Sequence, residues 1–135
     1  MEINVIGGGL AGCEAAHRLA EAGVRVKLFE QKPLKRSPAH HSDSLCELVC
    51  SNSLKSRDPA TGSGLLKEEM RLLGSLVLEV AEQCSVPAGG ALAVNREDFS
   101  REVTRRMMQD GRIELIPGEV TEIPEGITVI CTGPL

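Results

Sequence analysis

The sequence predicts an α/β fold with a doubly wound parallel sheet, and two observations near the start of the chain support this prediction. The first is an apolar strand, residues 3–6, followed directly by the motif Gly7-x-Gly9-x-x-Gly12. The second is another strand, which ends at Glu30, 18 residues beyond the last glycine of the motif. A strand, a glycine-rich turn, a helix and a strand ending in an acidic residue together form the nucleotide-binding half of a Rossmann-like fold.

Each glycine of the motif has its own task in this prediction. Gly7 permits the tight turn from strand to helix, Gly9 lets the backbone approach a pyrophosphate, and Gly12 lets the helix lie close to the sheet. The helix is expected over residues 10–22, with its free amides and its positive dipole end directed at the phosphates. Glu30 can accept hydrogen bonds from ribose hydroxyls. The predicted dinucleotide-binding residues are therefore Gly7, Gly8, Gly9, Leu10, Ala11, Gly12 and Glu30.

Beyond Glu30 the sequence predicts a long irregular segment, two helices and three strands. Residues 31–64 show neither helical nor strand periodicity for most of their length. A helix of about 20 residues is expected from residue 63 or 64. Its apolar stripe consists of Leu66, Met70, Leu73, Val77 and Val80. The double glycine within residues 88–94 suggests a turn or a ligand-facing loop.

The second helix is expected to begin after Asn95, which would cap it, and to end at Gly111. It should turn one apolar face inward, formed by Phe99, Val103 and Met107. Strand-like runs follow at residues 113–116, 120–123 and 127–131.

The last predicted strand leads into Cys131-Thr132-Gly133. A glycine at the end of a parallel strand lies where doubly wound sheets bind ligands, although a plain turn explains Gly133 equally well on spacing alone. The chain stops two residues later, before the closing strands of a complete fold. We therefore expect residues 1–135 to be the N-terminal part of a nucleotide-binding domain, with a long inserted loop at about 31–64.

Composition argues against several classes of protein. With 135 residues, of which 41% are hydrophobic, the chain can build the core of one domain. No run approaches the roughly 20 apolar residues that span a membrane, and no leader precedes the first strand. Five scattered cysteines are unlike a secreted disulfide framework. A net charge of −4 argues against nonspecific binding of nucleic acid. These features predict a cytoplasmic protein with free thiols and no membrane segment.

The irregular segment carries the side chains with the most varied chemistry. His40, His41, Cys46 and Cys50 suggest a tetrahedral metal site, but adjacent histidines point apart and the cysteines are four residues apart rather than three. We therefore expect no metal. Cys46 lies among apolar residues and is interpreted as a small buried group of the core.

Cys50 differs from Cys46 because a polar run, Ser51-Asn52-Ser53, follows it directly. The thiol therefore lies at the boundary between a packed element and a polar loop. A nucleophilic thiolate needs partial exposure and positive neighbours, and Lys55 and Arg57 are close in sequence. Residues 32–57 carry five basic and two acidic side chains, although such a run is also typical of a solvated surface. Cys50 is the candidate catalytic residue.

Longer motifs resemble those of a known family. They are GGGLAG at residues 7–12, AHH at 39–41, ELVCSNSL at 47–54, GLLKEEM at 64–70 and PAGGALAV at 87–94. Together they closely resemble the bacterial folate- and FAD-dependent tRNA (uracil-5-)-methyltransferases over essentially the whole chain. Residues 131–133 resemble that family's Ala-Thr-Gly element near the flavin, with cysteine in place of alanine.

The resemblance implies an FAD-binding fold of the glutathione-reductase type and an enzyme that methylates carbon 5 of a uracil in the tRNA T-loop. Methylenetetrahydrofolate would supply the carbon, FAD the reducing equivalents, and NADH or NADPH would regenerate the reduced flavin. The fingerprint glycines, Glu30 and Gly133 would bind FAD. Of the family's two cysteines, Cys50 matches the first, as nucleophile toward uracil C6 or as general acid/base, and the second is expected beyond Leu135.

Two other functions are compatible with the residues themselves. One is a flavin- or NAD-dependent oxidoreductase without an RNA substrate, which the glycine fingerprint fits equally well. The other is a noncatalytic nucleotide-binding or tRNA-binding fragment.

Overall fold

A computed structural model describes residues 1–133, which form seven strands and four helices. The elements in chain order are β1 (Glu2–Ile6), α1 (Leu10–Glu21), β2 (Arg25–Glu30), β3 (Ser53–Ser56), α2 (Gly62–Leu72), α3 (Leu76–Gln83), β4 (Ser85–Val86), β5 (Ala91–Val94), α4 (Arg96–Gln109), β6 (Ile113–Pro117) and β7 (Thr128–Ile130). No helix among these residues is both long enough and apolar enough to span a membrane.

The main sheet has the order β6-β2-β1-β7, and all three pairings are parallel. In the register, Val5 of β1 lies opposite Leu28 of β2 on one side and Val129 of β7 on the other. The chain proceeds outward from β1 through β2 to β6 and then returns to the opposite side of β1 with β7. This reversal beside β1 is the switch point of a doubly wound sheet, so the predicted Rossmann-like α/β fold is confirmed.

Helix α1 lies against this sheet through small side chains. Cys13, Ala16 and Ala20 are buried, which lets the helix axis approach β1 and β2 closely. The helix ends where Gly23 adopts a φ of +83°, and its amide donates to the carbonyl oxygen of Ala20. Glycine adopts this left-handed conformation without a steric penalty, so the predicted end of the helix is confirmed.

A second, antiparallel sheet has the order β3-β5-β4. The double glycine of residues 89–90 lies in the connection between β4 and β5, so the turn predicted there is present. The strand β3 lies inside the segment expected to be irregular, which has no helix or strand from residue 31 to 52. Its four residues alternate between exposed and partly buried, but the strand is short and has one apolar residue, Leu54, so periodicity in the sequence did not reveal it.

The helix α4 follows the sequence prediction closely. The Asn95 side chain accepts hydrogen bonds from the amides of Glu97 and Asp98 at 3.1 Å each, as an N-cap should. The predicted inward face is buried and consists of Phe99, Val103 and Met107.

The prediction of one helix of about 20 residues after residue 63 is wrong, because two helices, α2 and α3, occupy this part of the chain. Gly74 between them has a φ of +74°. The Ser75 hydroxyl caps α3 and donates to Glu14 of α1 at 2.8 Å. The apolar stripe is divided as well, since Val77 and Val80 are buried while Leu66 and Leu73 are 55% and 68% exposed.

The strand predicted at residues 120–123 is also wrong, because these residues form no ladder. Residues 118–127 carry the chain from β6, at one edge of the main sheet, to β7, at the other. Gly118 and Gly126 both have positive φ, and Pro124 lacks a backbone donor. Val120 and Ile123 of this run therefore lie in an irregular connection.

Two adjacent methionines of α4 test the burial of this helix. Met107 is 2% exposed and Met108 is 59% exposed. We expect Met107→Ala to lower the free energy of unfolding by about 2–5 kcal/mol, because it opens a cavity in the core. Met108→Ala is the matched control and should change this free energy by less than about 0.5 kcal/mol. Urea denaturation followed by circular dichroism measures both, and equal effects would contradict the burial of this face.

Candidate functional site

The glycine-rich turn lies at the switch point, where β1, α1 and the end of β7 meet. Gly7 has a φ of +103°, and a Cβ atom there would lie 2.4 Å from the carbonyl oxygen of Cys131. A Cβ atom on Gly12 would lie 1.7 Å from the carbonyl oxygen of Gly7. Both distances are far inside van der Waals contact. These two positions therefore accept only glycine, for the tight turn and for the close helix that the sequence predicts.

Gly9, the N-cap residue of α1, is not sterically constrained as Gly7 and Gly12 are. Its φ of −80° suits any residue, and a Cβ atom there would meet no atom of residues 1–133 within 4 Å. Gly9 offers no side chain to cap the helix, and the first turn contains no acidic residue. The exposed residues Leu10 and Ala11 begin this turn, so their backbone amides face an open, positively polarised helix end. An anion such as a pyrophosphate fits this arrangement.

Glu30, at the end of β2, lies beside the turn. Its carboxylate accepts from the Gly8 amide at 2.8 Å and from the Lys32 amide at 3.0 Å, one bond on each oxygen. Each carboxylate oxygen has room for a second donor. Glu30 is therefore oriented by the backbone on one side and still able to accept from hydroxyl groups on the other, although the residue is only 9% exposed.

Gly133 lies at the same edge of the sheet. The Cys131 amide donates to the Ile6 carbonyl oxygen at 2.7 Å, which continues the pairing of β7 with β1 past their regular ends. Gly133 follows with a φ of +71° and is exposed. The structure thus brings the glycine-rich turn, Glu30 and Gly133 together at the carboxyl edge of the parallel sheet.

The segment that follows β2 returns to the turn and packs beneath it. The Cys46 amide donates to the Gly8 carbonyl oxygen at 2.8 Å, and the Cys13 thiol donates to the same oxygen at 3.4 Å. The Leu45 side chain fills the space that a side chain on Gly8 would need, since a Cβ atom there would lie 2.6 Å from Leu45 Cδ2. Gly8 is therefore held on both of its backbone polar groups, with its amide bound to Glu30.

Cys46 is 1% exposed, which confirms its interpretation as a buried group. Its thiol has a pKa raised well above the usual value because it hydrogen-bonds Cys13 and because burial disfavours the thiolate. Burial also raises the pKa of the Cys131 thiol. Neither thiol is therefore poised to react as a nucleophile.

A buried ion pair holds this segment in place, and no sequence signal indicated it. Lys32 Nζ lies 3.1 Å from Glu47 Oε2, and the two side chains are 3% and 12% exposed. Lys32 Nζ also donates to the Ser44 carbonyl oxygen at 2.6 Å. Glu47 Oε1 accepts from the amides of His41 and Ser42 at 2.7 and 3.1 Å. Residues 41–47 thus form a closed loop around one carboxylate, which we call the 41–47 loop.

Cys50 is exposed and lies three residues beyond the 41–47 loop. Arg96, the first residue of α4, brings a positive charge to the Cys50 backbone, since its Nη2 lies 3.5 Å from the Cys50 carbonyl oxygen. Lys55 and Arg57 were the neighbours expected from the sequence, and Arg96 was missed because it lies 46 residues away. Asn52 anchors this region to β5, since Asn52 Nδ2 donates to the Val94 carbonyl oxygen at 3.1 Å.

The His40 side chain has a local partner. His40 Nδ1 lies 2.7 Å from the Ser37 hydroxyl. Within residues 1–133, no three side chains of histidine, cysteine, aspartate or glutamate are grouped so that they could hold a metal ion.

Comparison with known proteins agrees with the longer motifs of the sequence. Residues 2–134 match the family described as glucose inhibited division protein A. The chain belongs to this family. Curated relatives of this chain include the methylenetetrahydrofolate–tRNA-(uracil-5-)-methyltransferases TrmFO of Bacillus subtilis, 57% identical over 133 residues, and of Acetivibrio thermocellus, 59% identical over 134 residues. The family resemblance expected from the motifs is therefore confirmed.

These two matches cover 98% of this chain and 31% of each relative, so the chain spans about a third of the length of the curated proteins it matches. Solved structures resemble it more distantly. The p-nitrophenol 4-monooxygenase PnpA of Pseudomonas putida DLL-E4 matches 92% of this chain and 33% of its own, with 20% identity and a TM-score of 0.49. CtdE, solved with FAD and a substrate, matches 85% and 30% with 15% identity and a TM-score of 0.44. At this level of similarity we draw no functional conclusion from either structure.

Substitution of Gly9 separates ligand binding from folding. A methyl group there fits the fold, so Gly9→Ala should retain the circular dichroism spectrum and the melting temperature. The same methyl group occupies the open side of the helix end, where a pyrophosphate would lie, and should weaken FAD binding by about tenfold or more. Fluorescence titration with FAD measures the affinity.

Gly12→Ala is the contrasting variant and should disrupt the fold itself, because its methyl group would overlap the Gly7 carbonyl. Unchanged FAD affinity in folded Gly9→Ala would exclude a pyrophosphate site at the N-terminal end of α1.

The ion pair predicts how stability depends on pH. Burial alone would raise the pKa of Glu47, but hydrogen bonds from His41 and Lys32 outweigh it and hold this pKa below its ordinary value of 4.5. A carboxyl whose folded pKa is lowered stabilises the fold above about pH 4.5, and this stabilisation is lost as pH falls through the folded value. At pH 7 Glu47→Gln should cost about 3 kcal/mol, because it leaves Lys32 buried and unpaired. Urea denaturation should show this difference shrinking below about pH 4; a difference that does not change with pH would contradict the assignment.

Proposed function

We propose that this chain is the N-terminal part of the FAD-binding domain of a folate- and FAD-dependent tRNA (uracil-5-)-methyltransferase. The observation that carries the proposal is the position of an exposed thiol, Cys50, on a segment that hydrogen-bonds directly to the dinucleotide-binding turn. The names of relatives that are 57–59% identical over 98% of the chain support the same reaction.

FAD is the dinucleotide that we assign to the turn. The amides that begin α1 would bind its pyrophosphate, with Gly9 leaving the space for it. The free lone pairs of Glu30 would accept from its ribose hydroxyls. Gly133, at the end of β7, would leave room near the flavin. When bound and reduced, FAD supplies the two electrons that convert a methylene carbon to a methyl group, and NADH or NADPH would restore its reduced form.

The reaction needs a nucleophile because uracil C5 is a poor one by itself. In the proposed mechanism the Cys50 thiolate forms a bond to uracil C6, and the electron pair of the C5–C6 double bond moves toward C5 and O4. The resulting enolate carbon can then attack the one-carbon unit derived from methylenetetrahydrofolate. The carbon–nitrogen bond between this unit and the folate must break as well, with the electron pair staying on the folate nitrogen as tetrahydrofolate leaves. A base afterwards removes the C5 proton, and the sulfur–C6 bond breaks to restore the double bond.

Exposure and charge suit Cys50 for this role. Cys46 and Cys13, in contrast, are fully enclosed beneath the turn. Arg96 places a permanent positive charge beside the Cys50 backbone, with its Nη2 3.5 Å from the Cys50 carbonyl oxygen. The general acid/base role, with the second cysteine of the family as nucleophile, is the alternative assignment for the same thiol. The substrate uridine in the tRNA T-loop and the cytoplasmic location belong to the same proposal.

Methyl transfer to undermodified tRNA tests the function. The full-length protein should incorporate the methyl group into uracil only when methylenetetrahydrofolate and FAD are both present. A flavin-dependent oxidoreductase without an RNA substrate would consume NADH or NADPH but leave the tRNA unmodified. A noncatalytic module would do neither.

The thiol is tested in the same assay. Cys50→Ala should lower the rate of methyl transfer by at least about 1,000-fold while FAD remains bound, because alanine can neither form the bond to uracil C6 nor transfer a proton. The matched control is Cys84→Ala, a partly buried thiol at the end of α3, which should retain activity. Full activity of Cys50→Ala would exclude both catalytic roles of Cys50.

A further inference from the structure

The ion pair between Lys32 and Glu47 is not used by the proposed reaction, and it is the most deeply buried charge pair among residues 1–133. Removing two charges from water costs free energy, and an apolar pair of similar volume often stabilises a protein as well or better. The stability that the ion pair contributes therefore does not explain its presence, and we consider instead how it positions the residues around it.

Lys32 binds in two directions. Its backbone amide donates to Glu30 Oε1 at 3.0 Å, while its side chain donates to the Ser44 carbonyl oxygen at 2.6 Å and to Glu47 at 3.1 Å. One residue thus connects the carboxylate beside the dinucleotide turn to the carboxylate at the centre of the 41–47 loop.

The 41–47 loop in turn contacts the dinucleotide turn itself. Leu45 and Cys46 lie directly beneath Gly8, whose carbonyl oxygen accepts from the Cys46 amide. A third contact comes from α4, because Thr104 Oγ1 accepts from the Leu45 amide at 2.9 Å. The loop therefore has a defined position relative to the turn, and Cys50 follows it by three residues.

We propose that Lys32 and Glu47 are positioning residues, whose ion pair fixes the 41–47 loop against Gly8 and thereby sets the position of the Cys50 thiol relative to the dinucleotide. The proposal rests on the proposed function for the identity of the dinucleotide as FAD. A ligand bound at the first amides of α1 and at the Glu30 carboxylate contacts groups that adjoin Gly8 or hydrogen-bond to Gly8 and Lys32, and Gly8 and Lys32 in turn hold the loop. Binding of FAD should then change the reactivity of the Cys50 thiol, and this linkage between the two depends on the Lys32–Glu47 ion pair.

The test measures the two ends of this linkage in the full-length protein. The affinity for FAD is obtained by fluorescence titration. The reactivity of Cys50 is obtained as the rate of its alkylation by iodoacetamide, quantified on the Cys50 peptide by mass spectrometry with and without saturating FAD. In the wild-type protein, FAD should change this alkylation rate by about fivefold or more. No effect of FAD on the rate would overturn the proposal.

Glu47→Gln keeps the shape of the side chain and removes its charge. We expect it to weaken FAD binding about tenfold and to reduce the effect of FAD on Cys50 alkylation to less than about twofold. The matched control is Glu119→Gln, which breaks the Lys35–Glu119 pair, another lysine–glutamate pair, whose side chains are 57% and 46% exposed. Glu119→Gln should leave both values unchanged. Equal behaviour of the two variants would also overturn the proposal.

The double variant Lys32→Met/Glu47→Gln separates positioning from a merely structural role. It removes both charges, so it avoids the unpaired buried charge of the single variant and should recover most of the melting temperature. A positioning pair predicts that the linkage between FAD and Cys50 stays lost in this stable protein. Recovery of the linkage together with the melting temperature would show that the pair only supports the fold, against the proposal.

Methyl transfer measured in parallel distinguishes this inference from the proposed function. A wild-type protein that shows the linkage but does not methylate tRNA would contradict the function and leave the positioning role supported. An active wild-type protein whose linkage survives Glu47→Gln would contradict the positioning role alone.

Discussion

Close contact of backbone with backbone at the end of β1 governs how the segments around the dinucleotide-binding turn are arranged. Gly12 brings α1 so close to the turn that any side chain would overlap the Gly7 carbonyl, and a side chain on Gly7 would overlap the Cys131 carbonyl oxygen at the end of β7. The three segments can meet at the switch point only because Gly7 and Gly12 have no side chains. The amides of α1 are thereby placed at the carboxyl edge of the sheet, where an anionic ligand can reach them.

Gly8 extends this constraint to the part of the chain that has no regular structure. Its amide binds Glu30, and its carbonyl oxygen accepts from Cys46 and Cys13. An irregular segment has no ladder or helix to fix its position, so single hydrogen bonds and the buried pair of Lys32 with Glu47 do so. As a result, the exposed Cys50 thiol follows the 41–47 loop, which is held in place by its contact with Gly8 of the dinucleotide-binding turn.

Prediction from the sequence succeeded where the determining interactions are local. Asn95 and the spacing of Phe99, Val103 and Met107 describe α4 because a cap and an apolar face act within a few residues. Prediction failed where a distant residue decides. The helix after residue 63 is divided at Gly74 and Ser75, and Glu14 binds both the Ser75 hydroxyl and the Val77 amide, at 2.8 and 3.0 Å, from more than 60 residues away. Periodicity cannot report such a contact.

Residue order alone was enough to predict the fold class and the glycine positions of the turn, because steric exclusion and short spacings can be read from a sequence. It also pointed to the candidate residues Glu30, Gly133 and Cys50. The groups that surround these residues became known only from the folded chain. Arg96 lies beside Cys50, and Lys32 with Glu47 joins the turn to the loop, through contacts between residues distant in sequence. Charged side chains are ordinary on protein surfaces, so their burial and pairing become visible only when the chain is folded.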